Sequence, residues 1–573
     1  MAMTEAQTIT HAIGFWLHPS IFLILGALII PMLKGAAQQI YRVSLALVFI
    51  FLIFQLQTGT YGTVQFAGLD MVMGRADKLS LAFAYVFSLI TLIATIYSLH
   101  VKDNIQHIAS LFYAASATGV VFAGDLLTLY VFWEMMMFTS VWLIWRRATP
   151  QAYTAGYRYL MVHAVSGVML LAGIVLFYSE TGTLAFDRMQ ASNLTFYLIL
   201  LGFLINAAVP PLHAWLSDAY PESTITGAIF LSAFTTKTAV YTLIRGFPGT
   251  DFLIWLGVIM ALWGVVYAVL ANDIRRLLAY HIISQVGYMV AGVGMGTAIA
   301  LNGATAHAFT HILYKSVLFM GAGAVIHMTG KSKLTDLGGI YKYMPLTFVL
   351  YMVGAASISA FPLFSGFVSK TMVVEAAAVD HRAWVWLLLS MASAGTFLHT
   401  GLKLPYFTFL GKDAGLRPAE APWNMLLAMG ISAFFCVFIG INPAWLYSFM
   451  PTEVDYNAYS AGHLFWELQL LLFTGLGFFL MLKHLGGEHK LSVDTDWIYR
   501  KAAPIGVYKL AAFVRDAWRS LIGGLLGLTG GIWQSLRRTY GAQGVMGQTW
   551  SIGVTTVWVV LFITVYSLYV LLF

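Results

Sequence analysis

Glu134, Lys237, Lys315 and Lys370 each stand well inside an apolar run long enough to cross a bilayer. An ionised side chain at the centre of a spanning helix costs roughly 2.5–3.5 kcal/mol on the most permissive scale, so four cost about 10 kcal/mol or more. Such groups must pair, hydrate or exchange protons. Pairing that only fixes helix packing accounts poorly for the set, because three lysines and one carboxylate do not balance. Removal from water disfavours the charged form of ammonium and carboxylate alike, which brings both toward the range where protons are loaded and released. His307 and His311 precede Lys315 at i, i+4 and i+8, so the three line one helical face. Imidazoles spaced in this way relay protons near physiological pH. His163 and His281 are weaker candidates, since a lone helix histidine is more often a packing residue.

Other chemistries fail on spacing. The pair His307 and His311 lacks a following glutamate and an evident third ligand, so no metal is expected. Gly330-Lys331-Ser332 ends like a phosphate loop, but Val325 occupies the position of the required first glycine. Gly292, Gly294 and Gly296 miss the dinucleotide spacing. The one cysteine, Cys436, excludes a thiolate-ligated iron–sulfur cluster and an internal disulfide within this chain. No cofactor and no catalytic residue is expected. The free energy must come from an ion gradient or from partner subunits.

The elements that hold these residues follow from composition. Of 573 residues, 60% are hydrophobic and 10% charged, with a mean hydropathy of +0.79. Soluble domains carry about 25% charged residues, so an all-α polytopic membrane protein is expected. About sixteen spans are expected, at approximately 13–33, 43–58, 80–99, 108–124, 126–145, 155–179, 195–217, 224–245, 251–271, 275–299, 301–328, 344–377, 383–402, 423–442, 462–482 and 551–573. The glycine-spaced link 59–79 suits a small hairpin outside the bilayer. No removable signal peptide is expected at the start.

Two spans are interrupted. Pro210-Pro211 breaks the seventh, which also holds Asn206, and Pro362 with Gly366 breaks the twelfth. Irregular backbone at membrane depth survives only inside protein or beside a wet cavity, and corresponding interruptions point to a transporter repeat with a central site. Lys34, Arg42, Lys102, Arg146, Arg147, Arg158, Arg275, Arg276, Lys331, Lys333, Lys342, Lys403, Lys412 and Arg417 fall on one set of alternating loops. The other set holds Arg75, Lys78, Arg188 and Arg382. The first set is therefore cytoplasmic, with both termini external. Segment 483–550 mixes basic with apolar residues at helical spacing, which suits a lateral helix on the cytoplasmic interface. Gly523-Gly524, Gly527 and Gly530-Gly531 argue against one straight rod there.

Six stretches carry a family resemblance: GDLLTLYVFWE, PPLHAWLSDAYPE, FLSAFTTKTAVYTLIRG, DIRRLLAYHIISQVGYM, HAFTHILYKSVLFMGAGAV and FPLFSGFVSK. In this order they resemble the antiporter-like family of Mrp-type cation/proton antiporters, complex I membrane-arm subunits and membrane-bound hydrogenases. The resemblance covers roughly residues 100–410. The body is most similar to the D subunit of Mrp antiporters, and the tail to the lateral-helix extension of complex I's distal antiporter-like subunit. The resemblance implies a half-depth proton path in two inverted five-helix repeats with one broken helix each. By motif it assigns Glu134 as the key carboxylate, Lys237 as the central lysine, and Lys370 as the lysine of the second broken helix. His307, His311 and Lys315 become the relay. The family's span-seven lysine falls at Asn206, which carries no proton charge, so the usual Glu–Lys couple is missing.

The expected organisation is 1–107 for the first helices and hairpin, 108–245 and 251–402 for the repeats, and 403–482 for further core helices. The lateral segment 483–550 and an anchor helix 551–573 follow. The expected function is a non-enzymatic, proton-translocating subunit of an Mrp-type Na+ (or K+)/H+ antiporter in the inner (cytoplasmic) membrane, partnered by other membrane subunits and not by nucleic acid. A proton-pumping arm subunit of a complex I-like or hydrogenase complex is the alternative. A third reading is a coupling or structural subunit for an inorganic-carbon uptake partner.

Overall fold

In hydrocarbon every backbone polar group needs a partner within the protein, and a helix supplies one locally. The apolar runs accordingly fold as helices. A computed structural model describes residues 17–66, 68–189, 193–488 and 494–573. The chain divides into two units, Met1–Thr495 and Asp496–Phe573. Residues 13–16 of the first expected span and 489–493 of the lateral segment lie outside the described residues.

The first unit opens with helices α1 (Pro19–Ile29) and α2 (Gly35–Phe54). Strands β1 (Gly59–Phe66) and β2 (Leu69–Ala76) pair antiparallel with Thr63 opposite Val72, so the glycine-spaced link is a hairpin. Next come α3 (Lys78–Tyr97), α4 (Asn104–Phe122), α5 (Leu126–Trp145), α6 (Pro150–Thr181), α7 (Leu194–Asn206) and α8 (Ala214–Ala219). They are followed by α9 (Gly227–Ala233), α10 (Thr235–Gly246), α11 (Phe252–Leu270), α12 (Ile274–Met295) and α13 (Ala298–Thr329). The unit closes with α14 (Pro345–Ile358), α15 (Ser365–Val379), α16 (Ala383–Thr396), α17 (Trp423–Ile441), α18 (Pro443–Tyr447) and α19 (Ala461–Leu480). Among the described residues, 13 helices are long and apolar enough to cross a membrane. Shorter apolar helices run over Pro19–Met32, Leu194–Asn206 and Pro345–Ile358.

Both expected breaks are present. After α7 the chain turns through Ala208 in left-handed backbone and a cis Pro210-Pro211 bond before α8. After α14 it turns through Ala360 and Leu363, both at positive φ, before α15. Gly366 is needed in that second turn, because a methyl group there would collide with the Ser357 carbonyl oxygen. A third break was not expected. The span Gly227–Gly246 is interrupted at Phe234, between α9 and α10. Three threonines, Thr235, Thr236 and Thr238, crowd that point, and such side chains offer the backbone alternative hydrogen bonds.

Two other expectations are corrected. Lys403, read as a loop charge, is buried near the end of a π-helical stretch, Phe397–Lys403, that extends α16. Arg42, read the same way, is buried on α2 against His107 of α4. A long stem lets such a side chain sit within a helix while its charge finds an internal partner, which a hydropathy window cannot see.

The second unit holds α20 (Ala503–Tyr540) and the apolar α21 (Ile552–Leu572), whose length and hydropathy suit a span. The five glycines do not interrupt α20, which runs unbroken for 38 residues. Each interior glycine costs about 1 kcal/mol relative to alanine, which weakens a helix without ending it.

Candidate functional site

The ionisable residues form two groups. The first lies on α5, α6 and α7. Asp125 caps α5, its carboxylate accepting from Thr128 N–H at 2.7 Å and from Val72 N–H of the hairpin at 2.7 Å. An N-cap of this kind is worth about 1 kcal/mol and fixes where the helix starts. Nine residues into that helix stands Glu134, half-buried. Its carboxylate lies against Gly167 of α6, where a methyl group would collide with Oε1. Glu134 Oε1 has no hydrogen-bond partner among the described residues. One turn before Gly167, His163 shares a hydrogen bond of 2.9 Å between its Nδ1 and Asn206 Oδ1. An amide oxygen only accepts, so Nδ1 is the donor. Trp215 of α8 packs edge-on to His163 at 4.5 Å and donates its indole N–H to the Ile205 carbonyl at 2.9 Å. Asn206 therefore holds the imidazole of His163.

The second group lies on α10, α12, α13 and α15. The spans Gly227–Gly246 and Ile274–Met295 are wholly enclosed by protein and α13 nearly so, which keeps their polar groups from lipid. Lys237 Nζ donates to the Ser232 carbonyl at 2.6 Å and to Thr236 Oγ1 at 3.1 Å. Tyr113 of α4 accepts the Thr235 N–H at 3.0 Å, on the far side of the same break. The break thus gives a buried ammonium an acceptor without a carboxylate. Lys370 repeats the device, its Nζ donating to the Ile358 carbonyl at the end of α14 at 3.2 Å.

Between these lysines runs the α13 face. His307 and His311 are ring neighbours at 6.0 Å, and Tyr314 lies 5.2 Å from His311. Tyr314 donates to Gln285 Oε1 of α12 at 3.3 Å. Tyr288 touches both ends, its ring 6.0 Å from His307 and 5.9 Å from Lys370 Nζ. The charge of Lys237 acts on His307, His311 and Lys315, and that of Lys370 on His307 and His281. Lys315 Nζ, His307 Nδ1 and both nitrogens of His311 and His281 have no hydrogen-bond partner among the described residues. His281 faces His399 of the π-helical stretch at 5.6 Å, and Lys403 Nζ in that stretch donates to the Val269 carbonyl at 2.5 Å.

The structure brings Lys237, His307, His311, Lys315 and Lys370 together. Glu134 and Asn206 belong to the other group. Spacing had missed Tyr113, Gln285, Tyr288, His399 and Lys403. The i, i+4 and i+7 spacing of His281, Gln285 and Tyr288 was the available signal for α12. A third cluster was also unforeseen. Asp494 reaches back to His213 Nε2 at 3.2 Å and accepts from Tyr280 O–H at 2.8 Å. Burial raises the Asp494 carboxyl, and hydrogen bonding and the charge of His213 outweigh this, holding it below the ordinary aspartate range.

Residues 123–397 match the family described as NADH:quinone oxidoreductase/Mrp antiporter, TM. An uncharacterized protein of Methanocaldococcus jannaschii is 30% identical over 455 residues, covering 74% of this chain and 94% of that protein. The chain belongs to the NADH:quinone oxidoreductase/Mrp antiporter membrane family. The A subunit of a Na(+)/H(+) antiporter from Alkalihalophilus pseudofirmus is 30% identical over 503 residues, and the chain spans only 61% of its length. Among solved structures, one chain of an archaeal membrane-bound sulfane sulfur reductase shares the fold at a TM-score of 0.71 and 22% identity, covering 96% of this chain and 99% of that one. As a family member the chain is a multi-pass membrane subunit of the proton-translocating kind, of the type found in antiporters and in respiratory membrane arms.

Proposed function

We propose that the chain is the proton-translocating subunit of a multi-subunit Mrp-type Na+ (or K+)/H+ antiporter, a secondary transporter and not an enzyme. The observation that carries this reading is the enclosed row from Lys237 through His311 and His307 to Lys370. A buried polar group left without a partner costs about 1–3 kcal/mol. A row of them is expensive as scaffold and useful as a relay. Lys237 and Lys370 each rest on a carbonyl at a helix break, a neutral acceptor that can hold either the ammonium or the amine. A proton leaves Lys237, crosses His311 and His307, and arrives at Lys370, with Lys315 raising or lowering the barrier through its charge. Like charges at low dielectric repel over long range, so protonation at one lysine favours release from its neighbour.

In this reading ten of about sixteen spans form two inverted five-helix repeats, 108–245 and 251–402, with both termini external and the lateral segment 483–550 on the cytoplasmic interface. Other membrane subunits complete the path of the coupling cation. The test is cation-driven proton flux by the native complex in sealed vesicles. Lys237→Met should lower it about 100-fold or more, and flux equal to wild type would overturn the relay. A second reading, an arm subunit of a redox complex, is favoured by the fold likeness that runs through 96% of this chain. Purification of the native complex separates the two: bound iron–sulfur or flavin subunits support the redox arm, and small membrane subunits without them support the antiporter.

A further inference from the structure

α19 faces outward along most of its length, with Phe465, Trp466, Leu468, Leu472 and Phe473 all exposed. Its buried residues are Glu467, Leu471 and Phe478. A carboxylate has thus been placed on the one stripe of this helix that packs inward, away from water. Glu467 is 4% exposed, and its Oε2 has no hydrogen-bond partner among the described residues. It lies beyond residues 123–397, outside the family match.

Its neighbours place it beside the last lysine of the row. One turn before it, His463 stacks on Phe367 of α15 at 5.0 Å, with the rings 19° apart. Lys370 stands three residues on from Phe367, on the same face of α15. One residue further, Thr371 Oγ1 shares a hydrogen bond of 2.9 Å with Tyr456, whose ring lies 6.1 Å from His463. The titratable and charged groups around Glu467 are Lys370 of α15, Tyr288 of α12, His463 of its own helix, and Tyr456, which Glu375 of α15 also faces. Lys370 and His463 are the two whose charges act on it directly. The end of the row therefore has a buried carboxylate one turn from His463, whose ring stacks on Phe367, one turn before Lys370.

We propose, resting on the relay reading above, that Glu467 takes the proton from Lys370 and hands it to His463, forming the outlet of the path. In the first step a Lys370 N–H bond breaks and a Glu467 O–H bond forms, so an ammonium and a carboxylate become a neutral amine and a neutral acid. In the second step the Glu467 O–H bond breaks and an N–H bond forms on His463. The tautomer suits this. His463 Nδ1 lies 2.6 Å from the Ala458 carbonyl, an acceptor only, so Nδ1 carries a hydrogen and Nε2 is free to accept. The second step restores the Glu467 carboxylate; His463, which is half-buried, then releases the proton to water and becomes neutral again, and the Lys370 amine is ready for the next proton from His307.

The experiment uses the native complex in sealed vesicles of phosphatidylethanolamine and phosphatidylglycerol, with an imposed cation gradient and a trapped pH dye. Glu467→Gln should lower proton flux about tenfold or more, Glu467→Asp should recover most of it, and His463→Gln should shift the pH dependence of the remaining flux. Wild-type flux and an unshifted pH profile in Glu467→Gln, with Lys370→Ala inactive in the same vesicles, would overturn the outlet while leaving the relay standing. Wild-type flux in both Glu467→Gln and Lys370→Ala would instead remove the relay itself. Should Glu467→Gln fail to assemble, His463→Gln decides, since it retains every buried carboxylate: an unshifted profile overturns the proposal and a shifted one supports it.

Discussion

The two broken helices expected from proline solve one problem with different donors. At the end of α7 the Ile205 carbonyl is met by the indole of Trp215, and at the end of α14 the Ile358 carbonyl is met by the ammonium of Lys370. An indole never gives up its hydrogen, whereas an ammonium can. The first break is therefore a neutral joint, and Asn206 beside it holds His163 in one tautomer. The second is a joint that can change charge. A break in a helix is not in itself a site for ion chemistry; the group that fills it decides.

The sharpest way to break this contrast is to remove each donor in turn. Lys370→Ala should cut proton flux by about 100-fold or more, whereas Trp215→Phe should leave flux near wild type and cost about 1 kcal/mol of stability. Equal losses of flux in the two variants would erase the difference between the joints. A second experiment converts one joint toward the other. Asn206→Lys should be tolerated while Glu134 is present to pair with it, and in the Glu134→Gln background the unpaired lysine should cost about 3–5 kcal/mol, read as loss of thermal stability in detergent. Equal costs in the two backgrounds would mean that Asn206 does not face Glu134. The smallest effect concerns Asp494, which lies outside the spans and accepts from His213 and Tyr280. Asp494→Asn should cost about 1–3 kcal/mol at neutral pH. The carboxyl is held below its ordinary value of 3.8, so the difference from wild type should be full above pH 3.8 and shrink as pH falls below it. A difference that persists unchanged at lower pH would show that the carboxylate charge is not what matters there.

Proline and lysine carried most of what could be read in advance. Pro210-Pro211 and Pro362 marked their breaks because a missing N–H has only one local consequence. Lys237, Lys315 and Lys370 stood out against apolar neighbours, as did the nine-residue ladder from His307 to Lys315. The break at Phe234 was illegible, because it uses threonines that also occur in continuous helices. Glu467 was passed over because six residues from a helix start reads as near an edge, and only packing shows that its stripe is the buried one. Lys403 reads as a loop charge because it follows directly on the apolar run 383–402. The pairing of His163 with Asn206 joins residues 43 apart in sequence, a distance at which spacing says nothing.

The π-helical stretch Phe397–Lys403 sets His399 and Lys403 inward on the same side. A wide turn holds one more residue than the α-helical turn it replaces, so this stretch stores a single-residue insertion. Deleting one residue within it would let the helix return to ordinary winding with everything downstream still in phase, whereas deleting one residue from the α-helical part before it would turn His399 and Lys403 by about 100° around the axis. The Val269 carbonyl would then be left bare.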